Sequence, residues 1–145
     1  MPKKVYTSLD EMFILENLIT QGRDNFELRY SANADLIGLT ESRVGNFIKA
    51  EITEWCFVTL EDVRDDGKAH TFLTGMKSDI TATMTSDVVA YNPDRNLVFT
   101  KSGSLYYLSG KPAEPPLNTP RVAAIAATMN GWGIGLALGM PLAFF

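Results

Sequence analysis

The sequence predicts a mainly β protein of the α+β class, with an antiparallel meander that curls into a barrel or a two-layer sandwich. Residues 85–108 contain three short β-prone runs joined by two clear turn signals. Alternating or apolar runs recur at regular spacing from residue 26 onward, roughly seven or eight in all. An Asp-Asp-Gly-Lys turn at 65–68 joins two of them as a hairpin.

An N-terminal helix is predicted from residue 8. Ser8 and Glu11 have the spacing of a capping box, in which each side chain hydrogen-bonds the backbone amide of the other residue. Apolar residues then recur on one broad face, and Gly22 suits the left-handed conformation that often follows a helix.

Between this helix and the meander the sequence predicts several strands. Ile48, Ala50 and Ile52 are predicted to share one face of an alternating run, with Lys49, Glu51 and Thr53 on the other face. Residues 31–42 show no decisive period. The strands predicted in this part are residues 26–30, 46–53, 55–60, 70–76 and 80–84.

The meander itself is predicted from its turns. Asn92–Asn96 contains Pro93, which fixes φ, together with Asn and Asp, which tolerate the left-handed region. Gly103 can adopt a positive φ in the second turn. Strands are therefore expected at 88–91, 97–99 and 105–108.

The chain is expected to divide into three parts. Residues 1–110 form the helix and the β domain, and residues 111–120 form a linker whose four prolines discourage sheet and helix. Residues 121–145 form an apolar segment that packs on the core or on another subunit.

Residues 122–145 carry no charged side chain, and this length could span a bilayer. Gly131, Gly135 and Gly139 are four residues apart, which on a helix would allow close approach of a second helix. A buried or oligomer-forming helix is the favoured interpretation. Self-association through the glycines and a membrane anchor are the alternatives.

Composition limits the function. A chain of 145 residues with 46% hydrophobic and 21% charged residues is long enough for one folded domain and is not of the disordered class. A net charge of −4 argues against broad contact with nucleic acid. The N-terminus lacks the features of a signal peptide, so a cytoplasmic location is expected.

Few residues suit catalysis or metal binding. One cysteine, Cys56, and one histidine, His70, exclude an internal disulfide, a cysteine-rich zinc site and a two-histidine metal site. Cys56 is expected to be buried, although a hairpin could bring it to His70 as nucleophile and base. Glu61, Asp62, Asp65 and Asp66 crowd one turn without the spacing of an EF-hand. We therefore predict no enzymatic activity, no metal and no cofactor.

Recognition residues are predicted from arginines and amphipathic aromatics, which binding surfaces favour. Arg95 lies in a predicted turn, and Arg121 precedes the apolar tail. The predicted binding residues are Arg95, Tyr106, Tyr107, Arg121 and Trp132.

The pattern TSxVV at 85–89, followed by VxTxSGSxYxL at 98–108, resembles a pattern of small uncharacterised bacterial and phage proteins. The resemblance covers about a sixth of the chain. It implies a compact β module of a mobile-element or host-conflict kind and assigns no catalytic residue.

These observations favour a non-enzymatic protein-binding module, in the form of a phage-encoded inhibitor of a host defence protein. One alternative is a protein that sequesters a small ligand or nucleotide signal between aromatics and arginines. The other is a self-assembling structural component.

Overall fold

A computed structural model describes residues 15, 19, 25–37, 39, 47–62, 68–78, 81–114 and 117–131. Within this part of the chain, six strands and two helices are arranged around two hydrophobic cores. The strands are β1 (Phe26–Tyr30), β2 (Ile48–Asp62), β3 (Lys68–Ser78), β4 (Thr81–Asn92), β5 (Leu97–Thr100) and β6 (Leu105–Leu108), and the helices are α1 (Asn33–Ile37) and α2 (Thr119–Gly131).

The strands form an antiparallel meander in chain order, as predicted. One further pairing connects its ends, because the first part of β2 runs parallel to β6. The hydrogen-bonded strands from β2 to β6 therefore form a closed ring, and β1 extends the sheet beside the second part of β2.

The described strands number six where the sequence predicts seven or eight, because two pairs of predicted strands are continuous. The runs at 46–53 and 55–60 lie in the single 15-residue strand β2, and the run at 80–84 continues into the 88–91 run as β4. Each junction contains an irregularity in strand pairing in place of a turn.

The irregularity in β2 is a bend at Glu54, whose φ is +46°. Between Thr53 and Cys56, β2 advances by one more residue than its partner β3, which is a β-bulge. Gly75 of β3 lies under this bend. A Cβ at residue 75 would overlap the Ile52 side chain and lie 2.9 Å from the Thr53 carbonyl oxygen. The close passage of the two backbones therefore requires glycine at residue 75.

A second bulge lies in β4, where the partners of Thr74 and Phe72 are Met84 and Asp87. The extra residue moves the following side chains to the opposite face of the sheet. Met84 accordingly packs in one core and Val88 in the other. The Thr85 hydroxyl compensates for the interrupted ladder, since it accepts a hydrogen bond of 3.2 Å from the Leu73 amide.

The two cores lie on opposite faces of the strands. The inner core, enclosed by the ring, contains Ile52, Phe57, Leu73, Val88, Val98, Tyr106 and Leu108. The outer core lies between the sheet and α2, and it contains Leu15, Ile19, Leu28, Cys56, Val58, Leu60, Phe72, Met84, Leu117, Val122, Ile125, Ala126 and Met129. Period-two alternation in β2 supplies Phe57 to the inner core and Cys56 and Val58 to the outer core.

The segment after β6 is held against the sheet by backbone hydrogen bonds. The Ser109 amide donates to the Ile52 carbonyl at 2.9 Å, and the Ala113 amide donates to the Trp55 carbonyl at 2.8 Å. The Leu117 amide then donates to the Tyr30 hydroxyl at 2.9 Å. These hydrogen bonds hold the predicted linker on the sheet just before α2. The helix begins at Thr119 and buries an apolar stripe in the outer core. The division of the chain into three parts stays a prediction.

The turn conformations predicted within the meander are confirmed, whereas residues 65–67 of the predicted Asp-Asp-Gly-Lys turn lie outside the described residues. Asn96 has a φ of +56° and Gly103 a φ of +91°. The side chain of Asn92 accepts hydrogen bonds from the amides of Asp94 and Arg95 at 3.1 and 3.2 Å, which closes the first turn. The predicted N-terminal helix lies outside the described residues, apart from Leu15 and Ile19, which are buried in the outer core.

The short helix α1 was not predicted, and an ion pair explains it. Arg29 of β1 donates two hydrogen bonds to Asp35, at 2.5 and 2.9 Å, and the Ala32 amide donates to the same carboxylate at 2.6 Å. Asp35 thus caps α1 and connects it to the sheet. Its pKa is lowered, chiefly by the hydrogen bond from Arg29.

We expect Gly75→Ala to destabilise the fold by about 1–3 kcal/mol, because the added methyl group overlaps backbone and side chain of β2. Chemical unfolding in urea measures this loss. Gly103→Ala provides a contrast. A Cβ at residue 103 meets nothing within 4 Å, so only the strain of a positive φ remains. Equal stability of G75A and the native chain would contradict the steric argument.

We expect Asp35→Asn to cost about 1–3 kcal/mol at neutral pH, since it removes a charged acceptor from Arg29. The pKa of Asp35 is lower in the folded than in the unfolded chain, so its contribution is present above the unfolded value of about 4 and is lost as the pH falls through the folded value. Urea unfolding across this range should show the difference between D35N and the native chain shrinking at acidic pH.

The exposed Asp94→Asn is the control for this pH series. A D35N difference that stays constant down to the acid limit would show that the Asp35 charge contributes nothing to stability.

Candidate functional site

The four predicted binding residues that the structure describes do not lie together in one place. Tyr106 and Tyr107 are neighbours on β6 and point to opposite faces, as consecutive strand residues must. Tyr106 is 8% exposed and belongs to the inner core, whereas Tyr107 is 37% exposed beside its cross-strand partners Leu97 and Glu51.

Arg95 is exposed in the turn between β4 and β5. The next residue, Asn96, accepts a hydrogen bond of 2.7 Å from the Leu108 amide, so this turn lies at the same end of the ring as Tyr107. Arg95 and Tyr107 are therefore the two predicted residues that share a region of the surface. Trp132 lies outside the described residues.

Arg121 lies elsewhere, in the first turn of α2. The side chain of Asn118 accepts a hydrogen bond of 3.1 Å from the Arg121 amide and caps the helix. Arg121 is 4% exposed, although an isolated arginine is usually solvated. Its Nε and Nη2 atoms are buried and have no hydrogen-bond partner among the described residues.

Helical spacing in the sequence contains a signal for the burial of Arg121. Arg121 lies four residues before Ile125, which places both side chains on the same face of a helix. That face is fully buried: Val122, Ile125, Ala126 and Met129 are each 0% exposed. The pattern that predicts the apolar stripe of α2 therefore also places Arg121 at its edge.

The glycines proposed for self-association are only partly described. Gly131 ends α2 and is exposed, and a methyl group added at this residue would meet nothing within 4 Å. Gly135 and Gly139 lie outside the described residues. Self-association through this face stays a prediction.

Strand register separates Cys56 from His70. The cross-strand partner of His70 is Leu60, four residues along β2 from Cys56, a distance of about 13 Å at the rise of an extended strand. His70 instead places its Nδ1 atom 2.8 Å from an Asp87 carboxylate oxygen. The two side chains therefore do not form a nucleophile and base pair in this structure.

Burial also makes the Cys56 thiol unreactive. Desolvation raises its pKa to about 11, although the nearby positive charge of Arg121 acts in the opposite direction. A thiol with this pKa is almost entirely neutral at physiological pH. Cys56 thus contributes to the outer core as a small apolar side chain.

The predicted cluster of acids is only partly described. Glu61 lies 3.9 Å from Arg29 Nε, and Asp65 and Asp66 lie outside the described residues. In the part of the chain that the structure describes, no three histidine, cysteine or acidic side chains are grouped as a metal site would need.

Two exposed apolar residues were missed by the sequence reasoning. Phe47 is 95% exposed and Ile48 is 53% exposed, at the start of β2. Alternation predicts that Ile48 shares a face with Ala50 and Ile52. A bulge between Ile48 and Ala50 shifts the register, so Ile48 pairs with Leu105 and leaves that face.

Comparisons with protein-family models, with curated proteins and with solved structures found no match. In addition, no helix among the described residues is long and apolar enough to cross a membrane.

The raised pKa of Cys56 predicts slow reaction with a thiol reagent such as Ellman's reagent at pH 8. Relative to the urea-unfolded chain, we expect the rate for the folded chain to be lower by about 100-fold or more, because the thiolate is rarer and buried. The chain contains one cysteine, so the absorbance change reports Cys56 alone. Equal rates in the folded and unfolded chain would contradict a buried, neutral thiol.

Proposed function

We propose that this chain is a non-enzymatic protein-binding module. The proposed contact region is the surface formed by Phe47, Ile48 and Tyr107, here called the Phe47 surface. It lies where β2 enters the ring beside β6.

The observation that supports this proposal is the exposure of Phe47 and Ile48. Among the described residues, the exposed large hydrophobic side chains are Ile37, Phe47, Ile48 and Tyr107, and three of these four lie on β6 or at the start of β2. Apolar side chains grouped at a surface are typical of a protein interface. An aromatic side chain such as Phe47 is also a common anchor residue.

Nearby charges indicate the chemistry of the partner. The exposed charged residues on this part of β2 are two acids, Glu51 and Glu54, and one lysine, Lys49, and Glu51 lies beside Tyr107. The whole chain has a net charge of −4. The Phe47 surface would therefore fit a protein with an apolar patch bordered by basic residues, whose encounter with this chain is favoured by opposite charge.

The resemblance of residues 85–108 to small phage proteins adds a narrower proposal. If the chain belongs to a phage, the bound protein is a host defence factor that the chain inhibits by occupying its surface. An acidic module suits this role, since defence proteins that act on nucleic acid present basic surfaces.

The test compares native chain and Phe47→Ser/Ile48→Ser in affinity purification from a bacterial lysate, followed by titration with the recovered protein. We expect a stoichiometric partner for the native chain and at least tenfold weaker binding for F47S/I48S, because the apolar anchor is lost. The matched control, Ala69→Ser/Lys77→Ser, changes two exposed residues of β3 and should bind as the native chain does.

Two results would contradict the proposal. One is the absence of any stoichiometric partner. The other is a partner that binds F47S/I48S and the native chain equally. Light scattering separates a third outcome, in which the native chain is an oligomer that F47S/I48S converts to a monomer, so that the Phe47 surface serves self-assembly.

A further inference from the structure

The buried guanidinium of Arg121 is a candidate anion-binding group. Arg121 is 4% exposed. Two of the three nitrogen atoms of its guanidinium group, Nε and Nη2, are buried without a hydrogen-bond partner in the described part of the chain. Arginine stays protonated in proteins, so the positive charge persists in the folded state. A buried charge without a compensating partner destabilises the folded state.

The two unpartnered atoms share one edge of the planar guanidinium group. The N–H bonds of Nε and Nη2 point in nearly the same direction, and their separation matches that of two oxygens of a carboxylate or phosphate. The atoms left without partners are thus the pair that makes a two-pronged contact with one oxyanion.

Described groups around Arg121 do not supply this anion. The first turn of α2 contains no acidic residue. The Asn118 side-chain and backbone oxygens accept hydrogen bonds from the amides of Arg121 and Val122. Cys56, whose pKa Arg121 affects, is a neutral thiol because burial raises that pKa to about 11.

The N-terminus of α2 adds a partial positive charge beside the Arg121 guanidinium. Arg121 lies in the first turn of α2, where the N-terminal end of a helix carries a partial positive charge. Arginine at this position is therefore electrostatically unfavourable in the absence of a negative group. An oxyanion at the Arg121 edge would be attracted by the guanidinium and by the helix terminus together.

We propose that Arg121 binds an oxyanion, a carboxylate or phosphate group of a small ligand, through its Nε and Nη2 atoms. This inference is independent of protein binding at the Phe47 surface, because Arg121 lies in the first turn of α2 near Cys56, whereas the Phe47 surface lies at the start of β2 and on β6. The ligand would neutralise the buried charge and stabilise the folded state in proportion to the logarithm of its concentration above the dissociation constant.

The test is thermal unfolding of the full chain with increasing inorganic phosphate, and separately with acetate, against chloride at matched ionic strength. We expect the Tm of the native chain to rise by about 3 °C or more with at least one of these anions. Arg121→Met keeps the length of the side chain without the charge, and its Tm should not show this specific rise.

The matched control is Lys101→Met, which removes an exposed positive charge to which no binding role is assigned. General effects of phosphate on protein stability act equally on R121M and K101M, so their difference isolates the site. K101M should respond to the anion as the native chain does. Arg121→Lys keeps the charge but cannot make the two-pronged contact, and we expect it to bind the anion at least tenfold more weakly.

An anion response that is the same in R121M and the native chain would overturn the proposal. So would a native chain that responds to neither anion. Strong destabilisation of R121M in chloride would then show that Arg121 is paired with an acidic group of the chain itself. If R121M does not fold, calorimetric titration of the native chain and R121K with phosphate and acetate decides the question, and absence of binding to the native chain rejects the site.

Discussion

The passage of β2 across Gly75 is the constraint on which the rest of this structure depends. The bend at Glu54 directs the first part of β2 toward β6, and the second part continues between β1 and β3. A straight strand could not make both sets of hydrogen bonds. The ring closes because residue 75 has no side chain to separate the two backbones.

Closure of the ring explains why the protein has two cores and why they differ in character. The inner core is surrounded by strands and contains aromatic contacts, such as that between Phe57 and Tyr91, whose ring centroids are 4.9 Å apart. The outer core depends on α2, which supplies a fully buried stripe together with Arg121. Protein binding is thus proposed for the surface beside β6, and anion binding for the core under α2.

The features that depend only on residues adjacent in the chain could be predicted from the sequence. Strand β1 and the turns at Asn96 and Gly103 follow from alternation and from the φ that each residue tolerates. The bend at Glu54 and the bulge at Thr85 depend on partner strands that a local pattern does not identify. The sequence pattern therefore predicts two strands in place of β2 and two in place of β4. For the same reason, the prediction that Ile48 shares a face with Ala50 and Ile52 is wrong. The burial of Arg121 depends on the sheet beneath α2, and helical spacing alone supplied only a hint of it.

The hydrogen bond from the Leu117 amide to the Tyr30 hydroxyl joins residues 87 positions apart in the chain. The parallel pairing of β2 with β6 likewise connects segments that are far apart in the chain. Contacts of such long sequence separation require a large loss of chain entropy before they stabilise anything. The hairpins within the meander can form early, whereas the pairing of β2 with β6 and the docking of α2 follow the formation of the hairpins. Folding of this chain is therefore expected to be slow and cooperative, with helix docking as a late event.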